Sequence, residues 1–154
     1  MSNTPRQRSA SLRPAPSPSI PHGGRDPVRS ASQLLGVAGL VAAVPAVDET
    51  IILPLDHDGI GRGIVVISGT QAAAQMLDCV ELVAQALPGY RLGVVSVRPS
   101  TPLDDHDVDL WCEGCELATA HGGELVDWLV VSGNDARSVP NHFGFAPRPG
   151  WSPG

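Results

Sequence analysis

Apolar and polar positions between residues 48 and 133 follow two alternating periods, which predict strands and helices in turn. Short apolar runs bounded by Gly, Pro or Asp predict strands, and apolar positions at helical spacing predict the segments between them. The predicted strands are residues 50–55, 63–68, 92–97 and 124–132, and the predicted helices are residues 70–87 and 107–120. The order β-β-α-β-α-β predicts an α/β fold with a single mixed sheet flanked by helices.

Individual residues predict how these elements begin, end and pair. Thr70 is predicted to cap the first of the two helices, and Pro88-Gly89 to end it. The turn residues Asp56-His57-Asp58-Gly59 lie between the first two strands and predict a hairpin. Pro54 cannot donate a ladder hydrogen bond, so the first strand is predicted to lie toward an edge of the sheet.

The pattern also predicts a domain at residues 31–139 with a tail on either side. Residues 1–30 are rich in Pro, Ser and Arg and are predicted to be disordered, and residues 140–154 form a Pro/Gly-rich C-terminal tail. The apolar run at residues 34–46 predicts a short helix that begins at Ser30 or Ser32. The residues predicted to pack it on the domain are Leu34, Leu35, Ala38 and Val41.

The run at residues 34–46 has a second interpretation, as the apolar region of a secretion signal. The Arg-bearing stretch before it is longer than an ordinary signal peptide allows, which argues against secretion. The run is also too short for a transmembrane span, and Pro45 interrupts its end.

Composition and charge exclude several classes of function. All ten basic residues are Arg, a usage typical of a high-GC bacterial genome, and the absence of Lys excludes P-loop and Schiff-base lysine chemistry. Residues 1–33 carry five Arg and one Asp, whereas residues 34–139 carry four Arg against ten Asp and five Glu. An acidic core repels phosphate, which argues against direct nucleic-acid binding. Three Cys do not predict a disulfide scaffold, so the expected compartment is the cytoplasm.

Several residues match a known family in the same order along the chain. Glu49 opens the first strand and Asp56 follows it, Gly69-Thr70 follows the second strand, and residues 126–133 read Val-Asp-Trp-Leu-Val-Val-Ser-Gly. On these residues the segment 49–133 resembles the RadC-like branch of the JAB/MPN (JAMM) metalloprotease family. The resemblance implies the cytidine-deaminase-like architecture of that family. In the last strand, Asp127 and Trp128 stand where the family has Asp-His.

The resemblance also implies a zinc site of which this chain keeps only a part. In the family, two His separated by one residue and an Asp bind zinc, and a Glu on the first strand is the general base. Ser96 and Arg98 stand at the two His positions, while Asp109 and Glu49 stand at the positions of the Asp and the base. His106 replaces a Ser three residues before the Asp. A catalytic zinc needs three protein ligands, and neither Ser nor a permanently protonated Arg replaces an imidazole.

The missing imidazoles suggest a hypothesis about Arg98, which precedes the Pro99 expected from the family. Its guanidinium is predicted to supply the positive charge in place of the metal, by pairing with Asp109 or Glu49. The alternative is that Arg98 is a solvated loop residue.

Three functions are consistent with the resemblance. The leading prediction is a non-catalytic RadC/JAB-like domain, a pseudoenzyme without metal or cofactor that acts as a binding or regulatory module for an unknown protein partner. The first alternative is a metal-dependent hydrolase of the JAMM peptidase type, with zinc held by Asp109, His106 and another His and with Glu49 as the base. The second alternative is a DNA-repair accessory protein of the RadC type.

Other candidate clusters are predicted to be structural. Cys112 and Cys115 form a CxxC on the predicted core side of the second helix, more than a turn from its N-terminus, where a redox motif would lie. His106 lies among Asp104, Asp105, Asp107 and Asp109 and, with His57, could form a substitute metal cluster. Acidic residues at a helix start are more typically caps that suit the helix dipole.

The remaining aromatic and thiol side chains are expected to divide between the core and the tail. Cys79, Trp111 and Trp128 are predicted to be buried. Trp151, in the Pro/Gly-rich tail, is harder to bury and is a candidate docking residue.

Overall fold

The structure, a computed structural model, describes residues 11–13, 20–69 and 72–154. Its elements in chain order are α1 (Ala31–Gly39), β1 (Glu49–Leu55), β2 (Val65–Ser68), α2 (Ala73–Ala86), β3 (Arg91–Val97), α3 (Asp107–Ala120), β4 (Glu124–Ser132), β5 (Asp135–Ser138) and α4 (Val139–His142). The predicted α/β class with one mixed sheet flanked by helices is confirmed. Strand β5 and helix α4 were not predicted.

The five strands form one sheet in the order β2-β1-β3-β4-β5. Strands β3 and β4 are parallel, and every other neighbouring pair is antiparallel, so the predicted β1–β2 hairpin is confirmed. Across β1, Glu49 faces Ser68 of β2 and Val97 of β3, and Thr50 faces Ser96 of β3. Facing residues share a side of the sheet, so this register decides which candidate site residues meet.

The prediction that Pro54 places β1 at an edge is wrong, because β1 lies between β2 and β3. The β1–β2 ladder ends at Ile52 and Val65, before it reaches Pro54. The carbonyl of Pro54 points to the β2 side and accepts from Arg62 N at 2.9 Å. A residue directs its N and its C=O to the same side of a strand, so the missing N–H of Pro54 interrupts no ladder bond.

The sheet separates two hydrophobic cores. Helix α1 covers one face, where Gly93 of β3 lets it approach closely: a Cβ there would lie 2.9 Å from Leu34 Cδ2. Helices α2 and α3 cover the other face, whose core includes Met76, Cys79, Trp111 and Trp128. The predicted burial of Cys79, Trp111 and Trp128 is confirmed.

The helix starts agree in part with the sequence predictions. Helix α1 is capped by Ser30, whose Oγ accepts from Gln33 N at 3.1 Å, but Val41 is 38% exposed because the helix has already ended at Gly39. Thr70 lies outside the described residues, and α2 begins three residues later, at Ala73. None of the helices in the described part of the chain has the length and apolarity that a membrane crossing requires.

Both predicted tails contribute residues that pack on the domain. Residues 1–10 and 14–19 of the N-terminal tail lie outside the described part, but Val28 is buried and its N–H donates to Gly59 O at 2.8 Å. At the other end, Ser152 N donates to Arg29 O and Ser152 O accepts from Ala31 N, both at 2.9 Å. The expectation that Trp151 is poorly buried is wrong, because only 5% of it is exposed. These backbone bonds hold the C-terminal segment against the start of α1.

Candidate functional site

A buried ion pair joins the end of β3 to the start of α3. Arg98 Nη1 and Nη2 donate to Asp107 Oδ1 and Oδ2, each at 2.8 Å, and both side chains are almost fully buried. Asp107 Oδ2 also accepts from Asp104 N at 2.9 Å. The bidentate geometry is the one that guanidinium and carboxylate groups prefer. The pair therefore joins the two ends of the loop at residues 99–106 through two charge-assisted hydrogen bonds.

The partner of Arg98 differs from the prediction, which named Asp109 or Glu49. Asp107 is the first residue of α3 and points toward the sheet, whereas Asp109 is exposed. Two residues along a helix correspond to a rotation of about 200°, so only one of these two carboxylates can face Arg98. The spacing from Arg98 predicted a carboxylate on the correct turn of α3, but on the wrong face of the helix. Asp107 lies three and four residues before the buried Leu110 and Trp111, and therefore on the same face of α3. This spacing is the signal that could have identified it as the inward-facing carboxylate.

Ser96 lies on the same face of the sheet as Arg98 but makes a different contact. Its side chain is 1% exposed, and its Oγ donates to Met76 Sδ of α2 at 3.3 Å. The neighbouring position on β1 is Thr50, which is fully buried. The two positions predicted to correspond to zinc-binding imidazoles are thus occupied by a hydroxyl packed against a thioether and by a cation bound to a carboxylate.

Glu49 lies on the opposite face of the sheet. It faces Val97, which belongs to the α1 core, whereas Ser96 and Arg98 point toward α2 and α3. The carboxylate of Glu49 is 2% exposed, and its Oε1 accepts from Ala43 N at 2.9 Å. In this structure Glu49 holds the loop between α1 and β1 and is separated from Arg98 by the sheet.

The other acidic residues at the start of α3 face solvent and do not converge on a ligand. The side chain of His106 is 93% exposed, and its Nδ1 lies 3.6 Å from Asp104 Oδ1. Asp104 Oδ1 also accepts from His106 N at 2.9 Å. The proposed further ligand His57 follows β1 at the other end of the sheet. Strand β1 alone spans roughly 20 Å, so His57 is far from His106.

A third buried carboxylate, Asp127, has only neutral partners among the residues that the structure describes. Its Oδ1 accepts from Ser138 Oγ and Trp128 N, and its Oδ2 accepts from Trp151 Nε1, all at 2.8 Å. Burial raises the pKa of Asp127 above its ordinary value, although the three donors act in the opposite direction. Sequence reasoning noted Asp127 and Trp151 separately but not their contact, because 24 residues separate them.

The β1–β2 turn gathers Asp56, His57 and Asp58, as its predicted hairpin role requires. Asp56 Oδ1 accepts from Asp58 N and Ile60 N, and its Oδ2 accepts from Arg62 Nε at 2.7 Å. Burial acts to raise the pKa of Asp56, but these hydrogen bonds and the Arg62 charge hold it below its ordinary value. The side-chain oxygens of Asp56 are already engaged in the turn, which explains the grouping without a metal.

The prediction that the CxxC lies on the core side of α3 holds for Cys115, which packs against the α2/α3 core, and is wrong for Cys112. Cys112 is exposed, and Cys115 is half-buried with its Sγ accepting from Arg148 Nη2 at 3.1 Å. The buried position is Gly114, where a Cβ would lie 2.9 Å from Leu125 Cδ2 and 3.0 Å from Trp128. Helix α3 therefore approaches the sheet closely at its glycine. Burial raises the pKa of Cys115, which disfavours its reactive thiolate.

The side chains of this site are bonded to one another and have structural roles. At the end of β3 lie a guanidinium already paired with a carboxylate and a hydroxyl bonded to a thioether. Comparison of the sequence with models of known protein families, and with curated proteins, finds no match. The family resemblance therefore stays a prediction that rests on this chain's own residues.

Proposed function

We propose that this protein is a non-catalytic domain of the RadC/JAB-like type that serves as a binding or regulatory module. The observation that carries the proposal is the buried ion pair that Arg98, at a position where the resemblance implies a zinc ligand, forms with Asp107. Such a pair balances its own charge, and both oxygens of Asp107 already accept hydrogen bonds.

The arrangement of elements supports the family part of the proposal. The chain follows the order expected from the resemblance, with β1 and β2 as a hairpin, α2 leading to β3 and α3 leading to β4. The Arg98 position lies at the C-terminal end of β3, beside its parallel neighbour β4, which is where open α/β sheets commonly place their sites. Fold analogy alone does not assign an activity, so the argument against catalysis rests on the side chains.

Two chemical features support the absence of hydrolysis. A guanidinium keeps its proton at all accessible pH values and so cannot bind a metal or act as a base there. Glu49, predicted to stand at the position of the general base, lies on the other face of the sheet and accepts from Ala43 N. A general base must come within hydrogen-bond reach of the water that it activates, and the sheet separates Glu49 from the Arg98 position.

The test is the zinc content and zinc response of the full chain. We expect the purified protein to retain no stoichiometric zinc and to show the same melting temperature with zinc as with a chelator, because a ligand stabilises only a state that binds it. Zinc at one equivalent that is lost on Asp109→Ala or His106→Ala would contradict the proposal and favour the hydrolase.

A designed variant sharpens this test. Ser96→His combined with Arg98→His restores the His-x-His spacing beside Asp107, and we expect this variant to gain zinc binding that the wild type lacks. The matched control is Ser96→His alone, which keeps the Arg98–Asp107 pair and should bind no zinc. Circular dichroism of both variants without metal checks that each is folded.

A further inference from the structure

Helix α3 carries two thiols one turn apart, in different surroundings. Cys112 is exposed, whereas Cys115 is half-buried and packs against the α2/α3 core. Both thiols are free, as is that of the third cysteine, Cys79, which is buried in α2. Oxidant-sensitive pairs in proteins have this arrangement, in which an accessible thiol reacts first and a neighbouring thiol then completes a disulfide.

Helical geometry brings these two residues within the range of a disulfide. Residues three apart in an α-helix have Cα atoms about 5 Å apart, and disulfides join Cα atoms that are roughly 4.4–6.8 Å apart. Their Cβ atoms are about 5–6 Å apart, whereas a disulfide requires roughly 3.5–4.5 Å, so closure distorts this turn of the helix. Gly114 lies between the two cysteines and gives the turn the backbone freedom for this change. The resulting bond is strained, and strained disulfides are easily reduced again.

The hydrogen-bond partner of Cys115 connects this pair to the C-terminal segment. Arg148 Nη2 donates to Cys115 Sγ at 3.1 Å. Arg148 Cζ also lies 5.5 Å from the centroid of the Trp111 ring, and Arg148 Nε donates to Leu125 O at 3.2 Å. A disulfide turns Cys115 Sγ toward Cys112 and removes one of the contacts that hold Arg148 against α3. Oxidation of the two thiols is therefore coupled to the attachment of the C-terminal segment.

We propose that Cys112 and Cys115 form a reversible disulfide in response to peroxide, and that this disulfide loosens the C-terminal segment at Arg148. In the first step the Cys112 thiolate attacks one oxygen of hydrogen peroxide, the O–O bond breaks and hydroxide leaves, which gives a sulfenic acid. In the second step the Cys115 thiolate attacks the Cys112 sulfur, the S–O bond breaks and a second hydroxide leaves. In total, two thiols and one peroxide give one disulfide and two waters.

The order of the two steps follows from the surroundings of each thiol. Cys112 is open to a peroxide in solution, whereas burial raises the pKa of Cys115 and makes its thiolate scarce. The charge and hydrogen bond of Arg148 act in the opposite direction on this pKa and favour the Cys115 thiolate for the second step. Burial also raises the pKa of Cys79, which lies in α2 and should remain reduced.

The first test is mass spectrometry of the full chain after treatment with hydrogen peroxide. We expect the wild type to lose about 2 Da, the mass of the two thiol hydrogens, and to regain it with dithiothreitol. Peptide mapping should place the disulfide between Cys112 and Cys115 and find Cys79 as a free thiol. Cys115→Ser should stop at the sulfenic acid of Cys112, which dimedone traps. The matched control is Cys112→Ser, which should form neither product.

Hydrogen exchange of residues 145–151 tests the connection to the C-terminal segment. This peptide should exchange at least about twofold faster in the oxidised than in the reduced wild type, because Arg148 has lost a partner. Peroxide should leave its exchange unchanged in Cys112→Ser. A wild type in which Cys112 oxidises without bonding to Cys115, or in which both remain thiols, overturns the proposal. So does a disulfide that leaves this exchange unchanged. The inference does not depend on the absence of catalysis, so the zinc experiments leave it unaffected.

Discussion

Two buried carboxylates, Asp107 and Asp127, lie on opposite faces of the sheet in hydrogen-bonded clusters that hold a loop or a terminus against it. Their charges are compensated in different ways. On the α2/α3 face, Asp107 meets the guanidinium of Arg98, so the cluster has no net charge. On the α1 face, Asp127 meets only the neutral donors of Ser138, Trp151 and the Trp128 backbone. Dipoles offset part of the cost of burying a charge but do not cancel it, which is why the pKa of Asp127 is raised.

The two clusters therefore differ in their chemistry. The Arg98–Asp107 pair balances its own charge within two hydrogen bonds. Asp127 has no such partner and can relieve its cost by protonation. The first cluster closes the loop at residues 99–106, whereas the second leaves a buried carboxylate whose pKa is raised by burial.

The largest expected effect comes from removing the cation. Arg98→Ala leaves Asp107 buried and uncompensated, and we expect a loss of about 3–5 kcal/mol in the free energy of unfolding. Urea denaturation measures it. Arg62→Ala is the control, because Arg62 is half-exposed in its ion pair with Asp56, and its loss should stay below about 1 kcal/mol. Equal losses in the two variants would show that Arg98 is solvated.

The next effect isolates one neutral donor of Asp127. Trp151→Phe removes the Nε1 bond to the carboxylate while keeping an aromatic ring, and hydrogen bonds to charged groups contribute about 1.5–3 kcal/mol. Trp128→Phe is the matched control, because Trp128 is buried but its Nε1 has no partner among the described residues. We expect Trp151→Phe to destabilise the protein more in thermal or urea unfolding. The reverse order would contradict the role assigned to this bond.

The smallest expected effect is the pH dependence that Asp127 contributes. Its pKa is raised in the folded state above the ordinary 3.8, so the folded protein binds more protons than the unfolded chain between these two values. The contribution of Asp127 to stability should therefore fall as pH rises from 3.8 through the raised pKa, and remain lower above it. Asp127→Asn should remove this fall. The measurement is the free energy of urea unfolding of the wild type minus that of the variant, determined at several pH values. If this difference in unfolding free energy does not change with pH, the effect assigned to Asp127 is excluded.

Asp56 should show the opposite sign and provides an internal reference. Its pKa is lowered, so its stabilising contribution is present above 3.8 and is lost as pH falls through the lower folded-state value. Asp56→Asn should therefore reduce the acid sensitivity of the protein while leaving the fall assigned to Asp127 in place.

Local patterns predicted most of the fold. Strand β4 and helix α3 have the bounds expected from their sequences, because periodicity and flanking Gly or Asp are local signals. The errors arose where contacts between residues far apart in the sequence determine the structure. The interior place of β1 depends on where its ladder with β2 ends, and the burial of Trp151 depends on Asp127, 24 residues earlier in the chain.

The candidate site was predicted at the correct loop but with the wrong partner. The sequence located Arg98 and a carboxylate at the start of α3, but separating Asp107 from Asp109 requires the rotation of the helix about its axis. That rotation is fixed by Gly114, which packs against Leu125 and Trp128. The apolar pattern alone favoured the thiols of Cys112 and Cys115 for the core, because that pattern does not count glycine as an apolar residue.

The most direct test of the central claim, that a buried ion pair holds the position predicted for a metal, is a double-mutant cycle between Arg98 and Asp107. Arg98→Ala, Asp107→Ala and their combination are compared by urea unfolding, with a parallel cycle between Arg98 and the exposed Asp109. We expect a coupling of about 2–3 kcal/mol in the first cycle and none measurable in the second. Additive losses in the first cycle, or an equal coupling to Asp109, would contradict it.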